Sequence, residues 1–285
     1  MAYNTGTDPP LSELISRKFV PEIFSSDAQM HTMSHLVVAD SFTHKYQKAL
    51  RKGTKVWIPV MTEISSTEVT PGTQPTPQDA STTAESITVT EWYQTSVDAS
   101  PLTEVEDAAD YLQTAAKAAA YSIDKKIDTF VGALISALGG GTYANADGNT
   151  FTDETFRSLV ETLDEADVPD EGRFLIGDPS MKSDLLNIDK FVRADYINGA
   201  PTTNGKFGQL YNAQVRITNN LTAATTGNYG CLAHQDAIGV ALQMGPNVKY
   251  WDLGWKFQHM IIVDAAWGAE EIRDTFGKAF YTRKS

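Results

Sequence analysis

The chain has one cysteine, Cys231, in 285 residues. One thiol cannot close an intramolecular disulfide, so a disulfide-stapled secreted domain is excluded, and a zinc ribbon with it. Basic residues are also scarce: 23 Lys and Arg stand against 36 Asp and Glu, for a net charge of −13. The basic stretches, Arg17-Lys18, Lys45 to Lys55 and Arg283-Lys284, are short and scattered. A phosphate backbone would be repelled, which argues against a general nucleic-acid-binding role. No apolar run approaches the length that spans a bilayer. The polar N-terminus, with Asp8-Pro9-Pro10, lacks the apolar core of a signal peptide. A soluble protein is expected, made in the cytoplasm, its own or a host's.

Catalytic signatures are missing too. Gly139, Gly140 and Gly141 follow a helix rather than a strand, and no Gly-Lys-Ser/Thr comes after them, so they are not a phosphate loop. His31 and His35 lie one helical turn apart, as zinc ligands can, but without the metalloprotease glutamate or a clear third ligand. They read as a polar helix face. Cys231 and His234 could pair as nucleophile and base, yet the strand-like apolar setting makes Cys231 a small buried hydrophobe. Asp124 with Asp128, and Asp164 with Glu165, could act as acid and base. Carboxylates are abundant here, and these read as solvated helix faces. No catalytic, cofactor or metal residue is assigned, and no enzyme activity is expected.

What is present is a long amphipathic stretch, Thr103 to Leu138. Val105, Ala108, Leu112, Ala116, Ala119, Ile123, Ile127, Phe130, Leu134 and Leu138 recur in steps of three or four, which places them on one side of a helix. Asp107, Asp110, Thr114, Lys117, Tyr121, Lys125 and Asp128 fall on the other side. Thr103 and Glu106 form a capping box at its start, and the three glycines stop it. Such a helix would be about 50 Å long. A compact globule of this length has a radius of gyration of about 19 Å. The helix would span the molecule, which implies an elongated, flattened subunit.

The stretch before it contains two further features. Residues 1–40 read as an arm, with a short amphipathic segment (Leu11 to Phe24) broken by Pro21. Val37 to Leu50 is a second short helical candidate. Val56, Ile58 and Val60 alternate with Lys55, Trp57 and Pro59 as an edge strand. Ile87, Val89 and Glu91 alternate with Thr88, Thr90 and Trp92 as the returning strand. Between them Thr62 to Ser86 is rich in Ser, Thr, Pro, Gln and Gly, a loop length that is usually functional or disordered. An isolated hairpin is marginal in water, and no helix is in place to cover this one. The expectation is that it rests on another chain. Trp57 and Trp92 either pack on each other or anchor that contact. Glu63, Glu68, Asp79, Glu85 and Glu91 make the hairpin acidic, and Arg17, Lys18, Lys45, Lys48, Arg51 and Lys52 are candidate complements on a neighbour.

After the glycines, Gly139 to Asn149 reads as a flexible connection. Thr152-Asp153-Glu154 caps a helix through Phe156, Leu159, Val160 and Leu163, Phe174-Leu175-Ile176 is a buried strand, and Asp178-Pro179 opens another helix. This short-looped alternation reads as a compact α/β unit. Asn204-Gly205 marks a tight turn. Strands are expected at Ala213 to Thr218, at Met260 to Val263 and, as a final pair, from Gly268 toward Phe280.

This element order, together with Trp92-Tyr93, Asp110-Tyr111, Ser122-Ile123-Asp124, Arg173 to Pro179, Asn204 to Gly208 and Val215 to Leu221, resembles the major capsid proteins of tailed bacteriophages, those of the Hong Kong 97 type. The resemblance implies an α+β fold with an N-terminal arm (1–40), an extended β-hairpin loop (53–95) and a long spine helix (103–138). It further implies a peripheral domain from 41–52, 96–144 and 253–285, and an axial domain from 145–252. Hexamers and pentamers would build an icosahedral shell around double-stranded DNA, with weak, sequence-independent contact to it. The virion capsid would be assembled in the host cytoplasm, without a membrane. A portal is implied. The hairpin begins within about fifty residues of Met1, so scaffolding would be a separate protein. Some relatives lock subunits through a loop lysine joined to an asparagine. Between Val56 and Ser100 there is no lysine, so non-covalent overlap or a cement (decoration) protein would hold the shell. Encapsulin compartments resemble the same family and hold enzymes instead of genomes. A hydrolase using acidic residues is the reading from a different class.

Overall fold

The computed structural model describes residues 37–61, 64–72, 74, 77, 82–99, 111–188, 209–253 and 258–283. Four α-helices are described: α1 (Val38–Ser41), α2 (Tyr111–Leu134), α3 (Asp153–Glu165) and α4 (Pro179–Leu186). The strands are β1 (Lys55–Met61), β2 (Thr82–Thr88), β3 (Glu91–Ala99), β4 (Arg173–Gly177), β5 (Gln209–Leu210), β6 (Ala213–Ile217), β7 (Gly227–His234), β8 (Ile238–Leu253), β9 (Gln258–Glu271) and β10 (Gly277–Arg283). They form three sheets: the β1–β2 hairpin, a three-stranded sheet in the order β3-β9-β8, and a five-stranded sheet in the order β10-β7-β4-β6-β5.

Helix α2 is the spine. Its 24 residues span about 36 Å, and a 3-10 turn, Ile135–Ala137, prolongs it. The capping box at Thr103 and Glu106 lies outside the described residues. Ala119, Ile123, Ile127, Val131 and Ile135 are buried in unbroken steps of four. Each step of four overshoots a full turn by about 40°, so the buried stripe winds around the helix. It therefore meets two different partners. The first half packs on Ile261, Val263, Ala265 and Trp267 of β9. The second half packs on Phe174 and Ile176 of β4, Cys231 and Ala233 of β7, and Ile238 and Val240 of β8. This winding is why Val131 and Ile135 are buried while Phe130 and Leu134, expected in the stripe, are only partly so. Gly139, Gly140 and Gly141 end the spine at φ 73°, 65° and 65°, the left-handed stop that glycine reaches without strain.

The five-stranded sheet is covered on both faces. Strand β4 is buried at every residue. Phe174 and Ile176 face the spine, while Leu175 faces Phe156, Leu159 and Leu163 of α3 and Met181 and Leu185 of α4. Both helices start as their sequences demand. The Thr152 hydroxyl accepts from the Thr155 amide at 3.2 Å, and the Asp178 carboxylate accepts from the Met181 amide at 3.0 Å with Pro179 beginning the helix.

The fold departs from expectation in four places. The sheets cross the expected 252/253 domain boundary: β8 pairs with β9, and β10 pairs with β7 of the five-stranded sheet. The expected final strand pair is thus two consecutive strands in different sheets, separated by the 3-10 turn Asp274–Phe276. Val37 to Leu50 is not one helix. Only Val38–Ser41 and the 3-10 turn Ala49–Arg51 are helical, because Thr43 is drawn off to pair with the β7–β8 turn and with β8 (Thr43 N to Gln235 O 2.9 Å, Val240 N to Thr43 O 3.0 Å). The connection after the glycines is pinned rather than loose. Asn145 makes two 2.7 Å bonds with the Tyr281 backbone, and Asp147 accepts from the Thr226 and Gly227 amides at 2.9 and 2.8 Å. Finally, Asp128 is buried. Its carboxylate accepts from the Ala39 amide at 2.9 Å and from the Asn220 side-chain amide at 3.0 Å, closing the start of α1. The turn at Asn204-Gly205 lies outside the described residues.

Candidate assembly surface

The hairpin divides into a seated root and an exposed tip. In β1 and β2 Ile58 lies opposite Glu85 and Val56 opposite Ile87, so these side chains share the inner face. Ile58 and Ile87 are buried against Leu50, Ala241 and Ile272. The hairpin therefore has a core of its own chain at the root, where the sequence implied none. Its seat is made of small residues. A Cβ on Gly268 would lie 2.1 Å from the Thr88 carbonyl oxygen, and one on Gly239 would lie 2.7 Å from Ile87 Cδ1. Beyond the strands every residue from 64 to 72 is exposed, Ile64 by 56% and Val69 by 72%.

The returning strand also ends sooner than its alternation implies. It stops at Thr88, and after Val89-Thr90 the chain enters the three-stranded sheet as β3. Trp92 there faces Ala266 of β9, whereas Trp57 stays in the hairpin opposite Ser86. The two tryptophans do not pack on each other: Trp57 is 61% and Trp92 74% exposed. The Lys55 ammonium lies 3.8 Å from the Trp57 ring centre, a cation–π contact. Trp92 belongs to the outer face of the three-stranded sheet, opposite the spine. Met260, Ile262 and Ala266 line that face with Lys249 and Trp251 across the strands. Trp251 is 58% exposed, and sequence reading missed it, although its alternation with Tyr250 in a long strand was the available signal.

Of the expected contact residues, Arg17, Lys18, Glu63 and Asp79 lie outside the described residues. Arg51 ends the 3-10 turn before β1. Lys48, Lys52 and Glu68 are exposed. Lys45, expected to serve a neighbour, is engaged within the chain by Asp236 at 2.8 Å. Glu85 is not at the tip. It sits at the root with Glu270, Glu271 and Asp274, around an open cavity of about 390 Å³. Burial pushes the Glu271 carboxyl up to about 7, helped by its hydrogen bond to Asp274 and by the charges of Asp274, Glu270 and Glu85.

The catalytic candidates take structural places. Cys231 and His234 are three residues apart on β7, an odd spacing that puts them on opposite faces. Burial raises the Cys231 thiol's pKa, and burial lowers that of His234. The His234 Nδ1 accepts from the Asp236 amide at 3.2 Å. Asp164 pairs at 2.7 Å with Arg173, which is buried and also donates to the Val168 and Pro169 carbonyls. Burial raises the pKa of Asp124, while Asp128 is bonded as above. His31 and His35 lie outside the described residues. Among the described residues no group of three or more His, Cys, Asp or Glu could hold a metal ion, and no helix is long and apolar enough to cross a membrane.

The described surface is thus a seated hairpin with an exposed tip beside a half-open sheet face. The family described as phage capsid protein matches residues 71–267. No curated protein sequence matches the chain. A solved structure from Mycobacterium phage Che8 is similar at 20% identity and a TM-score of 0.78, over 92% of this chain and 97% of that one. The capsid structure of the cyanophage P-SCSP1u is similar at 16% identity and 0.76, over 100% and 97%. The mature capsid of bacteriophage PhiM1 is similar at 14% identity and 0.72, over 92% of each. With more than half its length inside the family match, and with the capsid fold of the Hong Kong 97 type, the chain belongs to the phage capsid protein family.

Proposed function

We propose that the chain is the major capsid protein of a tailed bacteriophage, which assembles into hexamers and pentamers of an icosahedral shell around double-stranded DNA. Its role is structural, not catalytic. The observation that carries this reading is the tip of the hairpin, where Ile64 and Val69 stand exposed beyond the chain's own core. Exposed apolar groups on a projecting segment gain from burial against a second copy. In this reading the exposed part of the hairpin, residues 64–72, overlaps the adjacent subunit, while its root stays on its own chain. The spine and the three-stranded sheet form most of the peripheral domain, and the five-stranded sheet forms the axial domain. The net charge of −13 leaves only weak, sequence-independent contact with packaged DNA. A scaffold and a portal are the expected partners, non-covalent overlap or a cement protein holds the shell, and the virion capsid, assembled in the host cytoplasm, is the place of action.

Deleting Thr67 to Thr83 tests this. The deletion spares the buried Ile58 and Ile87, so the subunit should stay folded by circular dichroism while closed shells vanish from negative-stain images. Normal particles from the deleted chain would overturn the reading. Nuclease-protected DNA inside native particles supports a genome shell, whereas cargo enzyme in its place points to a compartment.

A further inference from the structure

Three tyrosines from three segments meet at the end of the spine. Tyr229 of β7 and Tyr281 of β10 lie directly opposite each other in the antiparallel pair. Tyr143, in the connection after the glycines, lies against both. Its ring centre is 4.3 Å from that of Tyr281 and 5.5 Å from that of Tyr229, and the Tyr229 and Tyr281 centres are 5.3 Å apart. Aromatic pairs usually stand about 4.5–7 Å apart, so Tyr143 and Tyr281 are closer than that range. The pair is also held in place. The Tyr143 hydroxyl donates to the Ser136 carbonyl at 3.2 Å. Ala144 N donates to Ala279 O at 3.3 Å, and Asn145 bonds the Tyr281 backbone twice at 2.7 Å. All three tyrosines are partly exposed, so a small diffusible reagent can reach them.

We propose that Tyr143 and Tyr281 form a site of oxidative cross-linking, at which a strong one-electron oxidant joins the two rings as dityrosine. Each phenol gives one electron to the oxidant and its proton to water. The two phenoxyl radicals then form a bond between ring carbons ortho to the oxygens. The hydrogen on each of those carbons moves to its own oxygen, which restores two phenols. Two equivalents of oxidant are each reduced by one electron, and the chain loses two hydrogens. Coupling needs two radicals in contact, and here the rings are in contact before oxidation, which removes the cost of bringing them together. Burial first, and then the neighbouring phenols, raise the pKa values of Tyr143 and Tyr281, the latter to about 12. Both rings therefore start as neutral phenols at neutral pH. The nearby alternative is Cys231, two residues from Tyr229 on the same face of β7. It is fully buried, and burial raises its thiol pKa, which keeps it from the reactive thiolate form. The new bond would close the chain from 143 to 281 into a loop, a constraint that stabilises a fold through its unfolded state. The proposal concerns the single subunit and does not rest on shell formation.

The test exposes the full-length chain to a ruthenium tris-bipyridyl complex and persulfate under visible light, which together generate a one-electron oxidant. An equal mixture of ordinary and heavy-nitrogen chains separates links within a chain from links between chains. Trypsin places the three tyrosines on separate peptides, Ile127–Arg157, Ile217–Lys249 and Ala279–Arg283, each with no other tyrosine. Dityrosine fluorescence should appear. Mass spectrometry should find Ile127–Arg157 joined to Ala279–Arg283, two hydrogens lighter than their sum and without mixed labels. Tyr143→Phe and Tyr281→Phe should each remove this linked pair, while Tyr211→Phe, at a position 54% exposed, should leave it. An oxidised chain without the linked pair overturns the proposal. So does a link through Tyr229 in place of either partner, a linked pair carried mainly by mixed labels, or one that survives Tyr143→Phe.

Discussion

The two larger sheets carry the same spine helix but are finished differently. The five-stranded sheet is enclosed, with the spine on one face and α3 and α4 on the other. The three-stranded sheet has the spine on one face only. Its outer face is covered at one end by the hairpin root, over Gly239, Ala241 and Gly268. The remainder, from Ala266 to Met260 with Trp92 and Trp251 beside them, has no element of the described chain upon it. The enclosed sheet stabilises the subunit. The half-open sheet leaves large aromatic area available to a partner, and an exposed patch of that kind marks an interaction surface.

The same substitution in each sheet gives the largest contrast. Ile176 in β4 is fully buried between the spine and its own sheet. Ile176→Asp places a charge there without a partner, and no folded protein should be recovered. Ile262 lies on the outer face of β9 and is only partly buried. Ile262→Asp should give a folded subunit with the circular dichroism of the parent. Equal loss of soluble protein in both variants would mean that the outer face is covered within the subunit.

A smaller effect is expected where the spine meets α1. Asp128→Ala removes the acceptor of the Ala39 amide and of the Asn220 side chain. The buried Asn220 amide is left unsatisfied, at about 1–3 kcal/mol, and the partly buried Ala39 amide adds a smaller cost. A lower midpoint of urea unfolding, with unchanged slope, checks this.

Asp128 also shows what the sequence could and could not reveal. The spine was readable because its apolar residues recur at helical spacing over many turns, and the caps of α3 and α4 because Thr152 and Asp178-Pro179 act locally. Asp128 read as solvated because it lies off the apolar stripe. What buries it is α1 and Asn220, 89 and 92 residues away. Sheet membership was hidden for the same reason. Strands β8, β9 and β10 carry similar apolar alternation, and only their pairing decides which sheet each joins. The hairpin was readable as a hairpin, but its seat was not. Gly239, Ala241 and Gly268 matter through what approaches them, which leaves no local pattern. Glu85 was grouped with the other acids of the hairpin because the sequence gives charge and not face.

The root of the hairpin contributes to the pH dependence of stability. The Glu271 carboxyl is raised from 4.5 to about 7, by burial first. Between those values the folded chain keeps a proton that the unfolded chain has released, so stability falls as pH rises through this window. The contribution is complete below 4.5 and lost above 7. Glu271→Gln should flatten this fall, read from urea midpoints between pH 4.5 and 8. Glu271 is only half-buried, and water screens its charge, so the change should be smaller than that of Asp128→Ala. An unchanged slope against pH would remove Glu271 from the account.

The smallest effect on the subunit and the sharpest on the comparison belong to Trp92→Ala. Trp92 is 74% exposed on the open face, and substitutions at exposed sites change stability by only about 0.5 kcal/mol either way. The urea midpoint should therefore stay where it is. Assembly is a different quantity, since a tryptophan central to an interface costs about 2 kcal/mol or more when truncated. In a closed shell every copy makes that contact, so even a modest loss per subunit raises the concentration at which shells form. Light scattering against protein concentration reads that threshold. A raised threshold with an unchanged midpoint assigns the open face of the three-stranded sheet to contact between subunits. An unchanged threshold leaves the hairpin tip to carry that contact without Trp92.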